Sequence, residues 1–236
     1  FSNTSLGRTA LNSNTTGSYN TAIGMYSLLS NTTASYNTAV GYQAFYSNTT
    51  GLGVAIGATA LYSNTSGVDN VSIGNASMYY NTTGNYNVAI GRSALTFNTA
   101  SNNTAVGYQA GYSNTTGTQN THIGYGAGYA GSTANENTSV GYAALNNATG
   151  SYNTAIGKSA LQTCTSGAYN TAVGGGGTLY SVTTGTNNTA IGLGAGYNIT
   201  TGSKNSILGF YNGNQGGLDI RTANNYIVLS DGDGNP

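Results

Sequence analysis

The sequence Asn20-Thr21-Ala22-Ile23-Gly24 occurs thirteen times, with small changes, along a chain of 236 residues. A short fixed period is typical of a repeat protein in which each repeat is one structural unit stacked on the one before it. Steps of 16 to 18 residues are too short for a helical hairpin or a propeller blade, but they suit one coil of two short strands and two turns. The sequence therefore predicts an all-β fold, a parallel β-solenoid (β-roll) of about 13 coils in residues 1–209. The closing glycines of the coils are Gly7, Gly24, Gly41, Gly57, Gly74, Gly91, Gly107, Gly124, Gly141, Gly157, Gly174, Gly192 and Gly209.

Alternation along a strand divides the motif into two faces. The residue before each glycine is always Leu, Ile or Val, and the residue two places earlier is Thr, Val or Ser. Because Thr and Val have the same shape and interchange there, we expect these two columns to face the core. The position between them is Ala in eight of thirteen coils, with His122 and Ile207 as the large exceptions. We expect this small-residue column to face outward, against a closely packed partner chain.

Asparagine opens the motif in twelve coils, and Gly53 is the exception. Stacked coils would place these amides in a column about 4.8 Å apart, where each amide can bond the next. A second recurring pattern, Asn-x-x-Gly, is typical of type I turns. Several of these turns also match the N-glycosylation pattern, but we interpret them as turns; they begin at Asn14, Asn31, Asn48, Asn64, Asn81 and Asn114.

The period stops at Phe210, and residues 210–236 are predicted to form a C-terminal cap or transition segment. Leu218-Asp219-Ile220 and Tyr226-Ile227-Val228-Leu229 have strand character. A solenoid needs such a segment because exposed strand edges favour aggregation.

Composition excludes several classes of function. Five basic and five acidic residues give a net charge of zero, which argues against nucleic-acid binding and against binding to an anionic membrane. The single Cys164 excludes an intrachain disulfide, and it replaces a turn asparagine, so we interpret it as turn filler. No apolar run is long enough to span a bilayer. Since Phe1 lies inside a repeat, we expect the sequence to be a piece of a longer protein.

The titratable residues do not form a catalytic set. Asp69 and Glu136 occupy the same column but are four coils apart, so they cannot act as the carboxylate pair of a glycosidase. Asp219 has no evident partner, and His122 is interpreted as a packing residue that faces a partner chain. The segment Asp231–Asn235 imitates the start of a calcium loop, but Pro236 stands where that loop needs glycine. We therefore expect no enzyme activity, no cofactor and no metal.

Tyrosine, with an apolar ring and a polar tip, suits half-buried interfaces. One column precedes the motif asparagine, as in Tyr19 and Tyr36, and a second follows the apolar patch after the glycine. Such ladders either close a seam between chains or stack sugars. The residues predicted for glycan contact are Tyr46, Tyr62, Tyr79, Tyr112 and Tyr129.

The recurring Asn-[Thr/Ser]-[Ala/Val]-[Ile/Val]-Gly strand resembles the head repeats of trimeric autotransporter adhesins, in which three chains form a left-handed β-roll. The longer filler, as in Tyr42–Gly51, is similar to the repeats of bacteriophage tail fibres. Residues 227–236 are similar to a segment that often precedes a self-cleaving intramolecular chaperone of the endosialidase type. Each coil has few large aliphatic side chains, which is a thin core for one chain, so we expect three chains to share the small-residue face as a homotrimer. The resemblance also implies a homotrimer.

Three interpretations of function remain open. The first is a structural or adhesive segment of an extracellular fibre, namely a phage tail fibre for host attachment, with a host-surface glycan or protein as receptor. The second is a bacterial surface adhesin or filament subunit. The third is a glycan- or ice-binding solenoid that uses its Thr rows, although an inward Thr column argues against ice binding.

Overall fold

The computed structural model describes residues 2–236, which divide into two compact units at Gln119 and Asn120. Among these residues there is no α-helix, and so none that could cross a membrane. Each unit is a parallel β-solenoid in which one motif copy supplies one strand per coil. The predicted fold class is therefore confirmed.

The first unit contains seven strands that pair in sequence order and in parallel. Its core is one continuous cluster from Ala22 to Ala110. The strands are β1 Thr4–Leu6, β2 Thr21–Ile23, β3 Thr38–Val40, β4 Gly53–Ile56, β5 Asn70–Ile73, β6 Val88–Ile90 and β7 Thr104–Val106.

The second unit continues the pattern with its own core cluster, from Ala144 to Val228. Its motif strands again pair in parallel and in sequence order. They are β8 Thr121–Ile123, β9 Thr138–Val140, β10 Thr154–Ile156, β11 Thr171–Val173, β12 Thr189–Ile191 and β13 Ser206–Leu208.

The C-terminal segment adds one more strand to the parallel ladder of the second unit. A small antiparallel hairpin joins β14 Asn214–Gln215 to β15 Leu218–Asp219, and β16 Ile227–Leu229 then pairs in parallel with β13. Both predicted strands exist, but each is shorter than expected at one end. The strand ladder thus continues past the last motif glycine, even though the sequence period does not.

Register is constant although coil length varies. A 16-residue step pairs Val40 with Ile56, and the 18-residue step pairs Val173 with Ile191, so motif positions always meet their equivalents. The difference is absorbed outside the strands, where loops tolerate insertions. Slipping a strand by one residue would place every side chain on the wrong face, which is why register must be held.

The prediction of two strands per coil is wrong. After every motif glycine except Gly209 the chain forms a run of turns that contains left-handed residues at alternate positions, for example Tyr26 at φ 64° and Leu28 at φ 48°. Their backbone groups alternate between bonds within and between coils. Ser27 N–H donates to Gly24 O (3.3 Å), whereas Leu28 N–H donates to Ala44 O in the next coil (3.0 Å).

The predicted orientation of the motif strand is also wrong. The small column is the buried one, with Ala22, Ala39 and Ala55 fully inaccessible, while the Thr and Ile columns are partly or largely exposed. The coil interior already holds large side chains from the turn run, such as Leu28 and Phe45. Only a small residue fits opposite them in so thin a coil, because protein interiors are close-packed.

Both the backbone dihedral angle and the close approach of the next coil require glycine at the end of the motif. Gly57 has φ 131°, and a Cβ there would come within 2.6 Å of the Gly74 carbonyl oxygen in the next coil. Only glycine adopts such a dihedral cheaply and permits such an approach.

The motif asparagines form the predicted column, but they bond mainly to the backbone. Asn20 Oδ1 accepts from the Asn37 N–H (2.9 Å), and Asn20 Nδ2 donates to Ala34 O (2.8 Å). Each amide therefore links its coil to the next one twice. Where Gly53 replaces the asparagine, the strand starts one residue earlier and pairs directly with Asn70.

The turn asparagines form a second column, which is buried rather than exposed. Asn48 Nδ2 donates to Gly51 O (3.2 Å) within its turn and to Asn31 Oδ1 (3.1 Å) in the preceding coil. The turns are thus closed by the side-chain amide, and Asn31, Asn48, Asn64, Asn81 and Asn114 are too buried to carry a glycan.

In the second unit apolar side chains or glycine take this position. Cys164 is fully buried there, and its thiol donates to Gly167 O (3.4 Å), which confirms its role as turn filler. Burial raises the pKa of this thiol to about 11, so it stays protonated. The other residues of the column are Gly131, Ala148, Val182 and Ile199.

Candidate functional site

The outward face of each parallel ladder is a regular array of Thr, Val and Ile. Ile56 and Ile90 are each 38% exposed in the first unit, and Ile156 and Ile191 are 40% and 45% exposed in the second. Thr or Val stands two residues before each of them, on the same face. The face carries no charged side chain on the motif strands, so it is an apolar and hydroxyl-bearing surface of a kind that marks interaction sites.

Three of the tyrosines predicted for glycan contact form one stack, in which Tyr62 lies between Tyr46 and Tyr79. The ring centroids are 5.0 and 4.9 Å apart and nearly parallel. Burial, with Tyr79 and Tyr46 close by, raises the pKa of Tyr62. Because both faces of the Tyr62 ring are covered by neighbouring rings, a sugar could reach only its edge.

The other two predicted contacts lie elsewhere. Tyr112 does not continue this stack, since Thr96 interrupts the column and Tyr112 meets Phe97 edge-on (5.1 Å). Tyr129 belongs to the second unit. The structure therefore brings together three of the five predicted tyrosines.

Two of the surface clefts lie at irregular coils, and the sequence interpretation did not predict either. The first has a volume of about 330 Å³ and lies in the first unit where Gly53 lacks the asparagine side chain; Tyr36, Leu52 and Asp69 line it with Val54, Asn70 and Val71. The second, of about 220 Å³, lies in the second unit and is lined by Lys158, Ser159, Gly176, Gly177, Tyr180 and Tyr197. In the sequence, the features that could have indicated these clefts are two irregular coils: one lacks the motif asparagine, and the other contains four consecutive glycines.

His122 lies in the core of the second unit, in the small-residue column, and not against a partner chain as expected. Its Nδ1 lies 2.8 Å from Ser139 Oγ in the next coil. Burial lowers the pKa of this imidazole to about 4, so the ring is neutral at physiological pH. His122 is therefore a packing residue, as predicted, but it packs inside its own coil and not against a partner chain.

Within residues 2–236, no three His, Cys, Asp or Glu side chains come together in a group that could hold a metal ion. Asp219, for which the sequence showed no partner, pairs with Arg221 at 2.7 Å on the surface. Asp231 Oδ1 accepts from the N–H groups of Asp233 and Asn235, so this carboxylate closes a turn of its own. The Asn235 side chain also donates to Asp231 Oδ2 (3.1 Å), and this bond, followed by the backbone bonds, lowers the pKa of Asp231.

The fold and these surfaces define the chain as a repeat protein of the parallel β-solenoid class. No family model matches the chain, and neither a curated protein nor a solved structure is detectably similar to it.

Proposed function

We propose that the chain is a structural and adhesive segment of an extracellular fibre, such as a phage tail fibre, and that three copies associate through the outward Thr/Ile face. The observation that carries this proposal is the exposure of that face. Isoleucine is the largest residue of the motif, yet it is directed to solvent in a chain with very few charged side chains. Association removes such apolar surface from water.

The alanine column cannot serve as the interface, because it lies inside each coil. The partner surface is therefore the opposite face of the same strands. Parallel coils present equivalent residues at every step, so identical chains can meet through equivalent rows about symmetry axes. A bacterial surface adhesin or filament would use the same construction, and the chain alone does not separate it from a phage fibre.

The oligomeric state tests this proposal. Analytical ultracentrifugation or mass photometry of the full chain should report a trimer. Ile90→Lys and Ile156→Lys should shift the mass to that of the monomer while the coils remain folded. Thr83→Lys, an exposed turn substitution with the same charge change, should leave the trimer intact. A folded wild-type monomer at micromolar concentration contradicts the proposal.

One observation favours a second candidate. The Thr column faces outward, which removes the argument against the ice-binding form of the monomeric solenoid. A flat exposed array of Thr and Ile is the surface such a protein needs. Thermal hysteresis of a monomeric species, lost in Thr154→Lys and kept in Thr83→Lys, would support this alternative in place of the trimer.

A further inference from the structure

The second unit contains the irregular coil that opens the cleft near Lys158. This coil has an 18-residue step because one extra residue falls in Gly174-Gly175-Gly176-Gly177. Gly176 and Gly177 adopt φ values of 64° and 79°, and neither has a side chain to fill the space. A Cβ at Gly177 would come within 3.0 Å of Tyr197 Cε2 and 3.1 Å of Tyr180 Cβ. The glycine run is therefore what keeps the cleft open beneath these two rings.

The cleft combines an aromatic wall with a cation and a hydroxyl. Tyr180 and Tyr197 stack with their centroids 4.9 Å apart and their planes within 3°. The preceding coil carries Gln162 at the position of Tyr180, so no ring of that column precedes Tyr180. Unlike Tyr62, Tyr180 is thus an end member of its stack.

Lys158 and Ser159 line the same cleft. Lys158 is exposed and has no ion-pair partner among the described residues; it is one of only five basic residues in the chain. An unpaired ammonium beside a ring pair attracts an anionic group more strongly than a neutral one.

We propose that this cleft binds a single pyranose unit that carries an acidic group, a carboxylate or a sulfate. The sugar ring would pack against Tyr180, its acidic group would pair with Lys158, and the Ser159 hydroxyl would bond a ring hydroxyl. The volume of about 220 Å³ is below the roughly 300 to 1,000 Å³ of sites for drug-sized ligands, which fits one sugar unit. The Asp69 cleft, by contrast, would repel such a ligand. This inference goes beyond the proposed fibre role, since the cleft is formed within one chain.

Titration followed by NMR or calorimetry tests the proposal on the full chain. The probes are trigalacturonic acid and 3′-sialyllactose for carboxylates, a sulfated chondroitin disaccharide for sulfate, and maltotriose as the neutral control. At least one acidic probe should bind with a millimolar Kd, at least about tenfold tighter than maltotriose, and the comparison among acidic probes identifies the acidic group.

Lys158→Gln should weaken that binding at least about tenfold, since a charge-assisted bond is lost. Tyr180→Leu should also weaken it, with an unchanged melting temperature as proof that the coil is intact. Lys204→Gln makes the same charge change in the same unit and should leave the Kd unchanged. Absence of binding by every acidic probe, equal binding of maltotriose, or equal losses in the Lys158 and Lys204 variants would overturn the proposal. None of these results depends on the oligomeric state, so failure here is distinct from failure of the fibre proposal.

Discussion

The His122 ring occupies space that Gly128 leaves free. Most other coils place Ala or Ser in the strand column and a large side chain four residues after the motif glycine, as in Ala155 with Leu161. In this coil the large side chain, His122, is in the strand column, and the small residue, Gly128, is four residues after the motif glycine. A Cβ at Gly128 would overlap the imidazole. The coil conserves its interior volume by a pair of compensating residues.

This exchange predicts strong coupling between the two positions. His122→Ala should cost about 2 to 4 kcal/mol of unfolding free energy because it leaves a cavity, and Gly128→Leu should cost about 1 to 3 kcal/mol because the leucine overlaps the ring. The double variant restores the usual pair, so it should lie within about 1 kcal/mol of the wild type. Leucine is compatible with the left-handed backbone there, since Leu161 has φ 51° at the equivalent position. Denaturant unfolding of all four proteins measures the coupling, and additive single effects would contradict it.

The same histidine predicts acid sensitivity. The pKa of His122 is about 4 in the folded state and about 6.5 when the chain is unfolded. The unfolded chain therefore binds the extra proton first, and stability falls as the pH drops from 6.5 towards 4, by up to about 3 kcal/mol. Asp219 and Asp231, whose pKa values are lowered, add losses only at more acidic pH.

Melting temperatures of the wild type at pH 7, 6, 5 and 4.5 measure this effect. The double variant His122→Ala/Gly128→Leu is the control, and it should show a nearly flat profile over that interval. A wild-type profile as flat as that of the control would show that the ring takes up its proton without unfolding.

The asparagine column should contribute strongly at each coil. Asn87 Oδ1 accepts from the Asn103 N–H (2.9 Å), and its Nδ2 donates to Ala100 O (2.8 Å). Asn87→Ala removes these two bonds and a third, from Nδ2 to Asn70 Oδ1 (3.1 Å), at a buried site, and we expect a loss of about 2 to 4 kcal/mol. Thr83→Ala, at an exposed position of the same coil, should change stability by less than about 0.5 kcal/mol. Similar melts for both variants would mean that water replaces the amide.

Left-handed positions offer a stabilising substitution. Lys204 has φ 58° in the column that holds Asn102 and Asn187 in other coils. Lys204→Asn should stabilise the second unit by about 0.5 to 1 kcal/mol, because asparagine tolerates this dihedral better than lysine does. Lys204→Val is the matched opposite case and should lower the melting temperature. An asparagine variant less stable than the wild type would indicate that the lysine side chain makes contacts that matter more than its backbone strain.

The period, the strand positions and the register could be predicted from the glycine spacing alone. Which face points inward could not, because alternation separates Thr21 and Ile23 from Ala22 without saying which side is the core. The deciding quantity is the thickness of the coil, which large turn residues such as Leu28 set. Those turns were themselves unpredictable, since leucine rarely adopts a left-handed dihedral. The two clefts lie where the repeat is irregular, at Gly53 and Gly177. A sequence pattern shows that a side chain is missing there, but it does not give the volume of the resulting cleft.

The central claim is that whole coils are interchangeable units held in one register. Removing residues 58–91 deletes two coils from the first unit, from the residue after Gly57 through Gly91, so Gly57 is followed by the segment that normally follows a motif glycine. The columns remain unbroken, and this deletion should fold with a cooperative melt. Removing residues 58–83 instead deletes fewer residues but joins a turn to the wrong part of the coil, so it should place apolar residues on the wrong face and unfold the unit. The thermal melt of these two deletion variants, followed by circular dichroism, is the direct comparison. A cooperative melt for the first and none for the second is predicted, and equal behaviour of the two would contradict the stacked solenoid.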